Sequence, residues 1–85
     1  MGKAEVEFIR KEHVVLKQKL PLNTEVHYKL LNAQQQVVMS KTVMNFSENN
    51  FMEKIEISHL PQGTYTLIVS AGNQHQHVDS ITIQL

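Results

Sequence analysis

The chain of 85 residues contains no cysteine and no tryptophan, and it has only three glycines and two prolines. Without cysteine, no disulfide can staple the fold, and neither a thiolate metal site nor a cysteine nucleophile exists. A chain this short buries a modest fraction of its surface and is only marginally stable. The fold must therefore rest on aliphatic residues, three phenylalanines and two tyrosines. We expect one domain over residues 1–85.

Charge of one sign is also lacking, because eight Lys and Arg residues balance eight Asp and Glu residues. Binding to a phosphate backbone needs an excess of positive charge on one face, so we expect no nucleic acid partner. No apolar run approaches the roughly 20 residues that span a bilayer, and no secretory signal peptide is visible. The chain is therefore either cytoplasmic or a mature secreted or periplasmic domain, since the lack of cysteine suits both.

Apolar residues alternate with polar ones almost throughout, which is the period of a β-strand. In the segment 51–58 the alternation turns Phe51, Ile55 and Ile57 to the core and leaves Glu53 near a strand end. No segment shows sustained helical periodicity. Short strands at spacings of roughly 8–12 residues predict an all-β fold, an immunoglobulin-like antiparallel β-sandwich of about seven strands. The predicted strands are 4–10, 13–18, 25–31, 36–44, 51–58, 64–71 and 77–84.

The clearest turn chemistry lies between the fifth and sixth predicted strands. Pro61 fixes φ at the first corner position, and Gly63 supplies a positive φ at little cost. Tyr65 can bury its ring while its hydroxyl bonds a nearby backbone group, as in a tyrosine corner. Gly72 opens the next turn. We therefore predict structural roles for Pro61, Gly63, Tyr65 and Gly72.

The segment 60–69 matches the pattern L-P-x-G-x-Y-x-L-x-V, and segments 26–32, 36–38, 55–57 and 81–83 match the strands around it. From about Val26 to Ile83 the chain thus resembles two related groups of immunoglobulin-like domains of Bacteroidetes-type bacteria. One group contains short secreted or periplasmic proteins of unknown function. The other is the C-terminal sorting domain of the type IX secretion system, which is appended to cargo and recognised during export across the outer membrane.

Two departures from the sorting-domain pattern separate these readings. That domain usually begins with a Pro-Asn-Pro-like motif, for which this chain offers only Leu20-Pro21-Leu22-Asn23. The Lys often found before the last apolar strand is replaced by the Asp79-Ser80 region. The sequence therefore favours a stand-alone, non-catalytic secreted or periplasmic module, with a binding or structural role and an unknown ligand. A sorting domain cut from a type IX cargo is the alternative.

His75 and His77 are the candidate metal ligands. Residues i and i+2 share a strand face, so two imidazoles could chelate one ion, with His27 or Asp79 as a further ligand. A structural zinc site generally has four ligands and here no cysteine can supply one. We therefore expect no metal and no cofactor, and a small metal-binding domain remains the third alternative.

No motif in the chain predicts catalysis. A nucleophilic set of the Ser–His–Asp type could be assembled from Ser58, His59 and Asp79. Nothing in the sequence resembles a nucleophile elbow, however. We therefore expect no catalytic residue and no enzyme. The tripeptide starting at Asn45 is formally a glycosylation sequon in a polar loop, 45–50.

The edges of the first and last strands offer the remaining route to a partner. An exposed strand edge can accept a strand from another protein by β-augmentation. Lys3, Lys17 and Lys19 could instead guard these edges against such pairing. The sequence leaves the partner and the oligomeric state open.

Overall fold

The computed structural model describes residues 2–10, 12–72 and 77–85. These residues form seven β-strands and no helix, which confirms the predicted all-β fold. Within them, no helix has the length and apolar character that crossing a membrane requires. The strands are β1 (Glu5–Ile9), β2 (His13–Gln18), β3 (Glu25–Leu31), β4 (Val37–Met44), β5 (Phe51–Glu56), β6 (Thr64–Ala71) and β7 (His77–Gln84).

The strands form two antiparallel sheets that face each other as a sandwich. One sheet has the order β1-β2-β5 and the other the order β4-β3-β6-β7. The edge strands are therefore β4 and β5 as well as the predicted β1 and β7. Because β2 is the central strand of its sheet, the prediction that Lys17 guards an edge is wrong.

Alternating apolar residues from both sheets fill the space between them. The register of β3 and β6 places Tyr28 beside Val69 and Leu30 beside Leu67, all four of them buried. Fully burying one such side chain contributes about 1.5–3 kcal/mol, so the alternation decides which face of each strand turns inward. The buried core includes Val14, Leu16, Leu20, Val26, Tyr28, Leu30, Phe51, Ile55, Ile57, Tyr65, Leu67, Val69 and Ile83.

The outer face of the three-stranded sheet is charged. Glu7 on β1 and Lys17 on β2 form an ion pair there, and both side chains are exposed. The hydrogen bond from the Lys17 ammonium, together with its charge, holds the pKa of Glu7 below its ordinary value. Solvent screens a pair this exposed, so it contributes little to stability.

Candidate functional site

The corner between β5 and β6 is bonded to the buried Tyr65 of β6 and to Leu85, the residue after β7. The ring of Tyr65 is buried, and its hydroxyl donates to the carbonyl oxygen of Pro61 over 2.7 Å. Gly63 lies at φ 153°, where a side chain is strained. Its N–H donates to the carbonyl oxygen of Leu85 over 3.0 Å, and its own carbonyl accepts from Leu85 over 2.9 Å. The corner therefore also holds the end of the chain beyond β7.

Gly72 follows the last residue of β6 and has φ 104°, a conformation that favours glycine. Its N–H donates to the carbonyl oxygen of Glu25 over 3.0 Å, which ties Gly72 to the start of β3. His75 lies outside the described residues, so His77 alone of the two candidate metal ligands can be placed, and the expectation that they bind no metal stays a prediction.

Asp79 on β7 links the two sheets. Its Oδ2 accepts from the backbone N–H of Ala4 over 3.0 Å and lies 3.1 Å from Nε2 of His77. Gln18 on β2 reaches the same oxygen at 3.5 Å and donates to the carbonyl oxygen of Gly2 over 2.7 Å. The carboxylate thus fixes the segment before β1 against β7, which gives the single aspartate a structural partner that the sequence did not reveal.

No set of metal ligands is assembled in the part of the chain that the structure describes. Nowhere there do three or more His, Cys, Asp or Glu side chains converge. The strand register places His27 in one row with Val78, so His27 lies on the opposite sheet face from Asp79. The two residues named as possible further ligands therefore cannot complete one site together.

The structure does not assemble Ser58, His59 and Asp79 into a nucleophilic set. Ser58 and His59 follow β5, whereas Asp79 belongs to β7. Ser58 donates to Glu56 over 3.1 Å, and Asp79 accepts from Ala4. Neither hydrogen bond that such a set requires is formed.

Glu53 is an acidic residue on the inward side of β5. It is the third residue of the strand, two positions after Phe51. Its Oε2 accepts from the Tyr28 hydroxyl over 2.8 Å and lies 3.3 Å from Nζ of Lys41 on β4. Burial, followed by the hydrogen bond to the Glu53 carboxylate and its charge, raises the pKa of Tyr28. Glu53 thus links the edge strand β5 to two strands of the other sheet, the inner strand β3 and the edge strand β4.

Asn45 joins the loop after β4 to the corner after β2. Its side-chain amide donates to the carbonyl oxygens of Leu20 and Pro21 over 3.1 and 3.0 Å. Its side-chain oxygen accepts from the N–H of Ser47 over 3.0 Å. Because the amide nitrogen is buried and bonded, a glycan cannot be attached to Asn45 in this fold.

Phe46, the next residue, is the most exposed large apolar side chain in the described residues, at 79%. With Met44 and Met52 it lines an open hollow of about 580 Å³ between β4 and β5. The sequence did not reveal this surface, because the loop is otherwise polar. A signal was present, since an aromatic residue stood alone among turn-forming residues.

Comparison with known protein families assigns this fold to a family. A family model described as the secretion system C-terminal sorting domain matches residues 11–84. The match spans β2 to β7 and leaves out β1, so it reaches further than the 26–83 segment of the sequence resemblance. No curated protein and no solved structure matches the chain. The match confirms the resemblance to sorting domains, and the chain belongs to the family of secretion system C-terminal sorting domains.

Proposed function

We propose that this chain is the sorting signal of a type IX secretion cargo, acting as a folded, non-catalytic domain that the export machinery recognises. The observation that carries the proposal is the family match, which covers six of the seven strands. Membership of a family of secretion signal domains implies that the protein is secreted. In this proposal the cargo passes through the periplasm and the domain is read there before export across the outer membrane.

The family match favours this alternative over the stand-alone module that the sequence alone favoured. The stand-alone reading rested on the poor Pro-Asn-Pro match and on Asp79-Ser80 in place of a Lys. Asp79 has a structural use here, because it holds Ala4 and with it the segment before β1. A change of residue at that position is therefore compatible with a sorting domain whose N-terminal segment is anchored differently.

A fusion experiment tests the proposal. Residues 1–85 are placed after a reporter with its own signal peptide, in a host with a working type IX system. The whole sandwich is required, because residues 13–18 form the central strand of one sheet. We expect the reporter on the cell surface or in the medium, and in the periplasm of a matched host that lacks the type IX translocon.

The control is the same reporter followed by an unrelated immunoglobulin-like sandwich of similar size. It should stay in the periplasm, because folding alone is not a signal. Retention of the 1–85 fusion in the competent host would contradict the proposal and support the stand-alone module.

A further inference from the structure

We infer that the sorting domain is read at one end of the sandwich, where Phe46 enters an apolar pocket of a protein partner. The surface, called the Phe46 surface below, consists of Leu22, Met44, Phe46 and Met52. The inference rests on the proposed function, because the partner is taken to be a protein of the export machinery. It adds the surface, the anchoring side chain and the chemistry of the pocket.

The Phe46 surface is unusually apolar for the outside of a small domain. Phe46 is 79% exposed, and Leu22, Met44 and Met52 are each 40–54% exposed. Three of the four line one open hollow. Exposed apolar groups that cluster mark sites of protein interaction, whereas single ones are ordinary. Aromatic residues are frequent anchors of such sites, and flexible methionines adapt to the partner around them.

Phe46 is also held in place, although it touches little of the protein. The residues on both sides of it are anchored: the N–H of Asn45 donates to Thr24 over 2.8 Å, and that of Ser47 to the Asn45 side chain. Asn45 also bonds the residues on both sides of Leu22. Its side-chain amide donates to the carbonyl oxygen of Pro21, and its backbone carbonyl accepts from the N–H of Asn23. Because the backbone is fixed before binding, little backbone conformational entropy is lost when the side chains are covered.

The other exposed aromatic residue lies in a different setting. Phe8 is about half exposed and lines a hollow with Ile57, Leu60 and Leu85. Those three side chains are buried in the core or packed against it. Phe8 therefore extends the core, whereas the ring of Phe46 projects from a polar loop into solvent.

The charges of the two loops indicate what covers the Phe46 surface. The corner 20–24 has no charged residue, and the loop 45–50 has one, Glu48. A membrane surface attracts segments rich in Lys and Arg, and these loops contain neither. An apolar protein pocket with a basic rim matches one acidic residue beside an exposed aromatic ring. The occupant we propose is such a pocket.

The test uses the 1–85 reporter fusion in the type IX-competent host. We expect Phe46→Ala to lower the rate of reporter export by about tenfold, the effect of removing a central aromatic anchor. Phe46→Leu, which keeps an apolar side chain, should retain most of the export. The matched control is Val78→Ala, at a valine that is 59% exposed on the outer face of β7. This variant should export within about twofold of the unaltered fusion.

The outcomes distinguish failure of the proposed function from failure of the inference about the Phe46 surface. If the unaltered fusion is not exported, the proposed function fails. If it is exported and Phe46→Ala is exported equally well, the sorting function stands and the inference about the surface is overturned. Thermal unfolding of the purified domains checks that Phe46→Ala melts like Val78→Ala, as its exposure predicts.

Two further measurements test the chemistry of the partner's pocket. Glu48→Lys should slow export, and Glu48→Gln should slow it less. If both variants are exported at the unaltered rate, the inference that the pocket has a basic rim is overturned. Purified domain is also mixed with phosphatidylcholine vesicles and with phosphatidylglycerol vesicles. No flotation supports a protein pocket, whereas flotation that Phe46→Ala abolishes would show that a membrane covers the surface instead.

Discussion

The hydroxyl of Tyr65 donates a 2.7 Å hydrogen bond to the carbonyl oxygen of Pro61, four residues earlier in the chain. Pro61 itself is exposed, while the Tyr65 ring lies in the core. The bond therefore attaches a surface corner to the interior. It also positions Gly63, whose backbone holds Leu85 at the end of the last strand.

Removing this hydroxyl should destabilise the domain without emptying the core. We expect Tyr65→Phe to lower the free energy of unfolding by about 1 kcal/mol, because one partly buried carbonyl loses its partner. Chemical denaturation measures the change. Thr64→Val, at the residue before Tyr65, is the control. It removes an exposed hydrogen bond to Gln84 and should lower the free energy of unfolding by less. If both variants lower the free energy of unfolding equally, the hydrogen bond from Tyr65 to Pro61 contributes no more than an exposed one.

The alternation of residues such as Tyr65, Leu67 and Val69 was enough to predict the strands and their inward faces. Period two states which side chains point the same way, and burial of the apolar set then fixes the choice of face. Four strands, β2, β3, β6 and β7, have the predicted bounds. Turn chemistry at Pro61 and Gly63 supplied the corner for the same local reason.

Contacts between strands distant in sequence could not be predicted in this way. Asp79 and Ala4 are 75 residues apart, and Tyr28 and Glu53 are 25 apart. Periodicity does not say which strands are neighbours, so the partners of Glu53 were not predicted and Lys17 was placed on an edge. The Phe46 surface was missed for a related reason, because a loop's exposure depends on what anchors it, here Asn45.

Tyr28 should make the domain less stable in alkaline solution. Burial and the Glu53 carboxylate raise the pKa of Tyr28 above the ordinary value of about 10, so the folded state keeps its phenolic proton more tightly than the unfolded state. The stabilisation is fully present below pH of about 10 and is lost as the pH rises above it, because the unfolded chain then releases the proton.

Denaturation at a series of pH values, for the unaltered chain and for Tyr28→Phe, measures this effect. We expect the difference in free energy of unfolding between the two proteins to shrink as the pH rises past about 10, since Phe has no proton to release. Lysine titration affects both proteins alike and drops out of the comparison. A difference that stays constant across this range would contradict the raised pKa of Tyr28.

Asn45 should contribute more to stability than any other asparagine of its loop. We expect Asn45→Ala to lower the free energy of unfolding by about 2 kcal/mol, because the carbonyls of Leu20 and Pro21 lose their donor in a buried setting. Asn50→Ala, at an exposed position in the same loop, should change it by less than about 0.5 kcal/mol. Similar losses in chemical denaturation would show that the loop does not depend on its anchor.

The minimal folding unit should begin before β2. A fragment of residues 11–85 lacks β1 and the segment before it, which contribute few side chains to the core, and we expect it to unfold cooperatively at a lower temperature than the full chain. A fragment of residues 24–85 also lacks Val14, Leu16 and Leu20, which are fully or almost fully buried, and the central strand of one sheet.

Losing three buried aliphatic side chains removes several kcal/mol, comparable to the whole stability of a small domain, which is about 5–15 kcal/mol. We therefore expect the 24–85 fragment to be unfolded by circular dichroism and to show no cooperative transition on heating. A cooperative transition in that fragment would mean that the four-stranded sheet folds alone with β5 covering it. In that case the sorting signal could be shorter than the family match, and export of a 24–85 fusion would show whether the three-stranded sheet takes part in recognition.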